Sequence, residues 1–228
     1  MQTLYIQDPR VDPAYFDVVV APEHDGLEGP NILSMIGSPN QITPTELVAN
    51  VLSFNDRLAD IPMPRVAMLI GGDSNTHKLT KAIHEIHIKA ARSILSRGRS
   101  LMVTLSRRTP DWVASDYRML SKGNDNVWFH EGGGRNPYLA FLGAAETILV
   151  TEDSTNMLTE ACSTGKSVLT LPMEGAAGKF QNLYDRLSKR CHVRPYESGL
   201  STAEYEPLNE SARVAALILE RLGLSQAA

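Results

Sequence analysis

Apolar residues in this chain fall into short unbroken runs separated by stretches where they recur every three or four positions. Two runs stand near the amino end, Thr3 to Gln7 (TLYIQ) and Phe16 to Asp25 (FDVVVAPEHD). The second is β-branched and ends in charged residues, the pattern of a buried strand whose carboxyl end opens onto a cleft. Thr43-Pro44-Thr45-Glu46 has the form of a capping box with proline at the first helical position, and Leu47, Val51 and Leu58 follow at near-helical spacing. A helix running to about Ala59 is predicted. Ile61-Pro62-Met63-Pro64 cannot continue it, because each proline lacks an N–H and restricts the residue before it, so a linker is placed there.

Beyond the linker, from about Arg65 to the end, strand and helix patterns alternate with little interruption. Val66 to Ile70, Leu101 to Leu105, Val127 to His130, Thr147 to Thr151 and Ser167 to Leu171 read as strands, with a last short one around His192 to Arg194. Leu79, Ala82, Ile83, Ile86, Ala90 and Ile94 form the single apolar stripe of a long helix. Further helices are predicted near Asp111 to Leu120, Pro137 to Ala145, Thr155 to Thr164, Lys179 to Lys189 and Glu210 to Leu222, the last capped by Asn209. The alternation predicts an α/β fold with a Rossmann-like, doubly wound parallel sheet covered on both faces. Ligands bind such sheets outside the carboxyl ends of the strands, where the strand order reverses.

Composition narrows the function classes. With 228 residues the chain can form one large domain, or one domain and part of another, and 43% hydrophobic content with 21% charge supports a sizeable core. A net charge of −4 with scattered basic residues leaves no footprint for nucleic acid or an anionic membrane surface. No stretch approaches the roughly 20 apolar residues that span a bilayer, and the opening MQTLYIQDPR has no basic patch before an apolar run. A cytoplasmic protein without a transmembrane segment is expected. Cys162 and Cys191 lack CxxC spacing, which points to a reducing compartment and to two buried, small apolar residues.

Three strand ends carry candidate chemistry. The first runs into Gly71-Gly72-Asp73-Ser74-Asn75 and then a helix, so that free backbone N–H groups and a positive helix end would suit a diphosphate. The alternative is a tight turn in which Ser74 or Asn75 caps the helix. Ser106-Arg107-Arg108-Thr109 ends the second strand, and because adjacent side chains diverge, one of the two arginines is expected to clamp phosphate oxygens; two solvated surface arginines are the alternative. Glu152-Asp153-Ser154-Thr155-Asn156 opens a helix on which Met157, Leu158, Ala161 and Cys162 share one face and Asn156, Thr159, Glu160 and Ser163 the other. Its amino end offers hydroxyls and N–H groups to a phosphate, and Glu160, one turn on, offers a carboxylate to two sugar hydroxyls. A well-capped helix with a solvated polar face explains the same pattern.

Other motifs do not hold. Gly165-Lys166-Ser167 ends like a P-loop, but position 160 is Glu and a strand follows, so Gly165 reads as a helix C-cap. The second strand ends in Ser106-Arg107-Arg108 where a dinucleotide site needs an acid, which disfavours NAD. His84 and His87 are expected to be solvated rather than a metal pair. No Asp-x-Asp occurs to anchor a divalent ion on a nucleotide diphosphate, so no metal and no cofactor are expected.

IGGDSNTHKL, TLSRRTP, NPYLAFLGAAETILVTEDSTNMLTEACSTGKSV and YEPLNESARVA, together with DPRVDPAYFDVVVAPEHD, resemble the plant mitochondrial-fission "elongated mitochondria" proteins and their bacterial relatives. That family is similar in turn to glycosyltransferases of the B fold, and Ala144 to Tyr196 resembles the nucleotide-sugar half of the enzyme that adds N-acetylglucosamine in peptidoglycan lipid synthesis. The resemblance implies a remnant of an amino-terminal Rossmann-like domain plus a linker helix over residues 1–62, and a carboxyl-terminal nucleotide-sugar-binding domain over residues 63–228. It places the diphosphate at Gly72, Ser74, Ser154 and Thr155, among Gly71, Asn75, Asp153 and Asn156. Glu160 would hold the ribose, His130 would border the base through its backbone, and Gln181 and Asn182 would face the donor sugar. Arg107 or Arg108 would offset charge on the departing diphosphate, and His24, across the cleft, is the candidate general base.

A glycosyltransferase-like protein binding a nucleotide diphosphate sugar as substrate, without metal, is therefore the leading expectation, either whole or as the donor-binding half. A non-catalytic interaction protein that recruits a dynamin-like partner is the alternative. Only some twenty residues precede VVVAPEHD, where B-fold transferases have most of a first domain; a fragment, a shortened gene product or a reduced protein would each account for that. The apolar surface so left is expected to drive self-association.

Overall fold

The computed structural model of the chain describes residues 2–197, 199–200 and 204–224. The two amino-terminal runs form β1 (Leu4–Ile6) and β2 (Val18–Pro22), which pair in parallel. A third strand, β3 (Ile32–Met35), pairs with the other side of β2, giving the order β1-β2-β3. β3 is four residues of Ile-Leu-Ser-Met between turn-forming segments, too short for a period to emerge from its sequence. β2 is buried throughout as the central strand, whereas all three residues of β1 are exposed.

Thr43 caps α1 (Pro44–Ser53) as expected, its hydroxyl accepting from the Glu46 N–H at 3.1 Å. The helix does not run unbroken to Ala59. It stops at Phe54, whose ψ of 16° leaves the helical region, and resumes as α2 (Asn55–Ala59). The break lets the Phe54 ring lie 5.8 Å from that of Trp128, so a core contact wins over helix continuity.

From Arg65 onward the elements are β4 (Arg65–Ile70), β5 (His77–Lys78), α3 (Lys81–Ser96), β6 (Ser100–Leu105), α4 (Asp111–Ser121) and β7 (Val127–His130). They continue as α5 (Tyr138–Ala144), β8 (Thr147–Thr151), α6 (Thr155–Cys162), β9 (Ser167–Leu171), β10 (Glu174–Gly175), α7 (Gln181–Cys191), β11 (Arg194–Pro195) and α8 (Glu210–Arg221). Six strands form one sheet in the order β11-β9-β8-β4-β6-β7, every pair parallel. The chain winds outward from β4 to β6 and β7, then returns to lay β8 on the other side of β4. The switch point is therefore between β4 and β8. Along β4 the two-residue period divides the core, with Val66, Met68 and Ile70 packing with α3 and α4, and Ala67 and Leu69 packing with α5 and α6. The last strand begins at Arg194, because His192 is taken up by the left-handed cap of α7 (φ 55°).

Several residues singled out in the sequence serve this core. Cys162 and Cys191 are both buried in the cluster under α5 and α6. Gly165 is left-handed (φ 73°) after α6, and Lys166 donates to the carbonyl oxygens of Leu142, at 2.9 Å, and Gly143 at the end of α5, burial lowering its pKa to about 8. α8 crosses back to the amino-terminal sheet, where Val214 packs with Val20 and Met35 and Glu210 accepts from the Ile36 N–H at 2.7 Å.

His84 and His87 correct the expectation of solvated histidines. Both are buried, because the flank of α3 beside its apolar stripe is covered by the sheet and α4. His84 Nε2 lies 2.9 Å from Asp116, and His87 Nε2 lies 2.8 Å from the Pro172 carbonyl oxygen. Burial pushes the His87 pKa down to about 4. Between pH 6.5 and pH 4 the unfolded chain then binds a proton that the folded chain refuses, so stability is lost as pH falls through that window, by about 3 kcal/mol in all. Denaturant unfolding of the wild type and His87→Gln at pH 7 and pH 4.5 should show a smaller acid loss in the variant, by about 2 kcal/mol. Equal losses would remove His87 as a source of acid lability.

Candidate functional site

The carboxyl ends of β4, β6 and β8 meet at one buried carboxylate. Asp153, two residues past β8, has a side chain with 0% exposure. Its Oδ2 accepts from the Gly72 N–H at 3.1 Å and from Arg108 Nη2 at 2.7 Å, while Oδ1 has no protein partner. Beside it, the Thr151 hydroxyl accepts from the Gly71 N–H at 2.7 Å. Arg108 also donates from Nη1 to the Asp73 carbonyl at 3.0 Å, and the Thr109 hydroxyl donates to the Gly71 carbonyl at 2.7 Å.

Such close approach needs both glycines. A Cβ on Gly71 would stand 2.0 Å from Asp153 Oδ1, and one on Gly72 would stand 2.0 Å from the Arg108 carbonyl oxygen. Side-chain-free backbone is thus used to bring loops together. The two amides, expected as open donors, are already taken by Thr151 and Asp153. Nor does the glycine turn lead straight into a helix. It passes into β5, which pairs with β10, and α3 starts only at Lys81, capped by Thr80. Ser74 closes its own turn instead, its Oγ accepting from the N–H groups of Thr76 (3.3 Å) and His77 (3.0 Å). The Asp73 carboxylate accepts from the Leu79 N–H and bonds Lys78, which holds it below the usual carboxylate range.

α6 begins at the switch point. Ser154 is its cap, accepting from the Met157 N–H at 3.4 Å, and Thr155 and Asn156 form its first turn, where backbone N–H groups have no carbonyl one turn back. Ser74, Asn75, Arg108, Asp153, Ser154, Thr155 and Asn156 line one crevice of about 550 Å³. The three strand-end segments therefore converge on a single volume. Arg10, Thr76, Lys179 and Phe180 complete its walls and were not foreseen. Lys179 and Phe180 stand immediately before Gln181 and Asn182, so the sequence signal lay two residues away. Arg10 has no local signal, since only the fold carries the β1–β2 connection to this crevice.

The other candidates lie around it. Arg107 is exposed and is not among the lining residues, whereas Arg108 is. Glu160, one turn along α6 from Asn156, accepts a hydrogen bond from the Tyr138 hydroxyl, and burial raises its pKa. It lines a separate concavity of about 710 Å³ with Asn40, Ile42 and Tyr138. Gln181 opens α7, donates to Asp185 at 2.9 Å and faces a pocket of about 380 Å³ beside His77 and Glu152, while Asn182 is exposed on the same turn. His130 ends β7, with β6 and β4 between it and β8, and burial lowers its pKa. His24 packs edge-on against Phe180, centroids 5.3 Å apart, so that the phenyl ring and not the imidazole lines the crevice. Burial lowers the His24 pKa, and its Nδ1 has no protein partner. Among the described residues no group of three or more His, Cys, Asp or Glu side chains could hold a metal ion, and no helix is long and apolar enough to cross a membrane.

A family model described as mitochondrial fission ELM1 matches residues 1–222. The chain is 26% identical over 243 residues to the mitochondrial fission protein ELM1 of Arabidopsis thaliana, covering 95% of this chain and 57% of that protein. It is also 26% identical over 203 residues to an uncharacterized protein of Rickettsia prowazekii (strain Madrid E), covering 86% and 57%. The chain thus spans a little over half the length of these curated relatives. Among solved structures, UDP-GlcNAc 2-epimerase from Methanocaldococcus jannaschii superposes with a TM-score of 0.55 at 13% identity, over 91% of this chain and 63% of that one. The same enzyme in complex with UDP-GlcNAc and UDP gives 0.52 at 14% identity, over 91% and 62%. These likenesses show the fold, a Rossmann-type sheet of the glycosyltransferase-B kind.

The contact between the glycine turn and the Arg108 loop is testable on its own. Gly72→Ala should lower the melting temperature by about 5–10 °C, because the added methyl meets backbone that cannot swing aside. An unchanged melting temperature in a calorimetric scan would mean that the two loops are not in contact.

Proposed function

The chain belongs to the mitochondrial fission ELM1 family, and from that premise we propose that it binds a nucleotide diphosphate sugar as the donor-binding half of a glycosyltransferase-like protein. The observation that carries this reading is the crevice where the amino end of α6, the Arg108 guanidinium and the Ser74–Thr76 turn face one volume at the switch point. A helix amino end supplies N–H donors and partial positive charge to a phosphate, and a guanidinium adds a full charge with paired donors. In this reading those two features compensate charge on the phosphate seated against α6, and no metal is called on.

The remaining assignments are those that the family resemblance implies, for groups that lie beside the crevice and not in its lining. Glu160 would take the ribose hydroxyls on the side of α6 away from the sheet, with Tyr138 orienting its carboxylate. Gln181 and Asn182, at the start of α7, would face the sugar, and the backbone at His130 would border the base. For His24, Phe180 stands on the crevice side of the imidazole. That arrangement favours a second reading, in which the chain binds its ligand without turnover and acts as an interaction protein, the role expected of a partner to a dynamin-like protein.

Calorimetric titration with uridine, guanosine, adenosine and cytidine diphosphates tests the first reading. At least one should bind with sub-millimolar affinity, and Arg108→Gln should weaken it by at least about tenfold, with the melting temperature reporting separately on folding. Glu160→Ala should weaken that nucleotide more than inorganic pyrophosphate. Absence of heat with all four nucleotides would remove the nucleotide reading, and equal losses for nucleotide and pyrophosphate in Glu160→Ala would remove the ribose role.

A further inference from the structure

One wall of the crevice comes from outside the six-stranded sheet. Arg10 lies in the connection between β1 and β2, in a turn where both Gln7 (φ 93°) and Arg10 itself (φ 57°) are left-handed. Non-glycine residues are uncommon there, and two within four positions cost roughly 1–3 kcal/mol each. Asp8 offsets part of that cost, its Oδ1 accepting from the Arg10 N–H at 2.9 Å and its Oδ2 lying 3.4 Å from Arg10 Nε. The turn carries a side chain that is 84% exposed to the border of the crevice rather than back onto the amino-terminal sheet.

Three cations reach the lining. Arg10, Arg108 and Lys179 come from three separate segments, and the only carboxylate in the lining, Asp153, is wholly buried behind Arg108. The acids that pair with the other two cations, Asp8 and Asp25, stand outside the lining. Each cation is thus paired with its own acid, and what Arg10 and Lys179 add at the rim is hydrogen-bond donors beyond those of Arg108. Arg108 and the α6 amino end suffice for a first phosphate, which leaves Arg10 and Lys179 for a second.

We propose that Arg10 is a phosphate-binding residue that contacts, with Lys179, the second phosphate of the bound diphosphate, so that the site is complete only when the amino-terminal sheet is seated. The inference rests on the nucleotide reading above and adds to it a ligand-binding role for the amino-terminal unit. It also ranks ligands, since a diphosphate engages both cation sets and a monophosphate only one. Because Arg10 is largely exposed, water and salt screen it, and its contribution is moderate.

Inorganic pyrophosphate and orthophosphate, titrated at fixed ionic strength into the whole chain, separate these contributions without reference to a base. Arg10→Ala should lose about tenfold in affinity for pyrophosphate and less than about twofold for orthophosphate, at an unchanged melting temperature, with Arg10→Lys recovering part of the loss. Pyrophosphate affinity in Arg10→Ala equal to that of the wild type would overturn the proposal, as would equal losses for both anions or a wild type that binds no pyrophosphate. Arg108→Gln distinguishes the two levels of the argument. If it loses pyrophosphate while Arg10→Ala does not, the crevice stands as a phosphate site and only the role of Arg10 falls.

Discussion

A single buried carboxylate holds the candidate site in shape. Asp153 draws the loop after β4 through the Gly72 N–H and the loop after β6 through Arg108, while its own backbone leads into α6. Because the Arg108 side chain is 44% exposed, water screens the ion pair, and its worth lies nearer the ~1 kcal/mol of a surface bridge than the ~3–5 kcal/mol lost when a buried pair is broken. The convergence therefore depends on the whole set of contacts. Two glycines admit the approach, Thr151 and Thr109 fix the Gly71 peptide from both sides, and Arg108 spans to the Asp73 carbonyl.

From that anchoring follows the division of labour around the crevice. The groups that tie the loops together, Gly71, Gly72 and Asp153, are spent on structure, and the groups left facing the volume are the first turn of α6, the outer donors of Arg108 and the cations at the rim. The amino-terminal sheet is fastened to the same rim by three consecutive residues after β2. Glu23 pairs with Arg186 at 2.6 and 2.9 Å, His24 packs on Phe180, and Asp25 bonds Lys179 at 2.6 Å. Lys179 and Phe180 thereby belong both to the crevice wall and to the junction between the two sheets. A ligand in the crevice would therefore meet two residues that also hold the amino-terminal sheet.

The sheet was legible in the sequence because unbroken runs such as Val66 to Ile70 and Thr147 to Thr151 are buried on both faces, and their spacing by amphipathic helices leaves few alternatives to a parallel sheet. β3 was not legible, since four residues carry no period, and neither was the break at Phe54, which a contact with distant Trp128 decides. At the site, residue type at a strand end pointed to the right segments, yet could not say which groups would remain free. Gly72 looked like an open donor because Asp153 is 81 positions away along the chain. His84 and His87 looked solvated because a helix pattern shows which residues are apolar and not how widely a neighbouring helix covers them. Arg10 was invisible for the plainest reason, that the loop carrying it reaches the crevice only through the fold.

Where a diphosphate settles is the decisive question, and a crystal structure of the chain grown with a nucleoside diphosphate tests it most directly. Two linked phosphates should appear against the first turn of α6, within hydrogen-bonding distance of the Thr155 and Asn156 N–H groups and of Arg108, with the Asp153–Arg108 pair intact. A nucleotide bound at another face of the molecule, with this crevice empty, would contradict a diphosphate site at the start of α6.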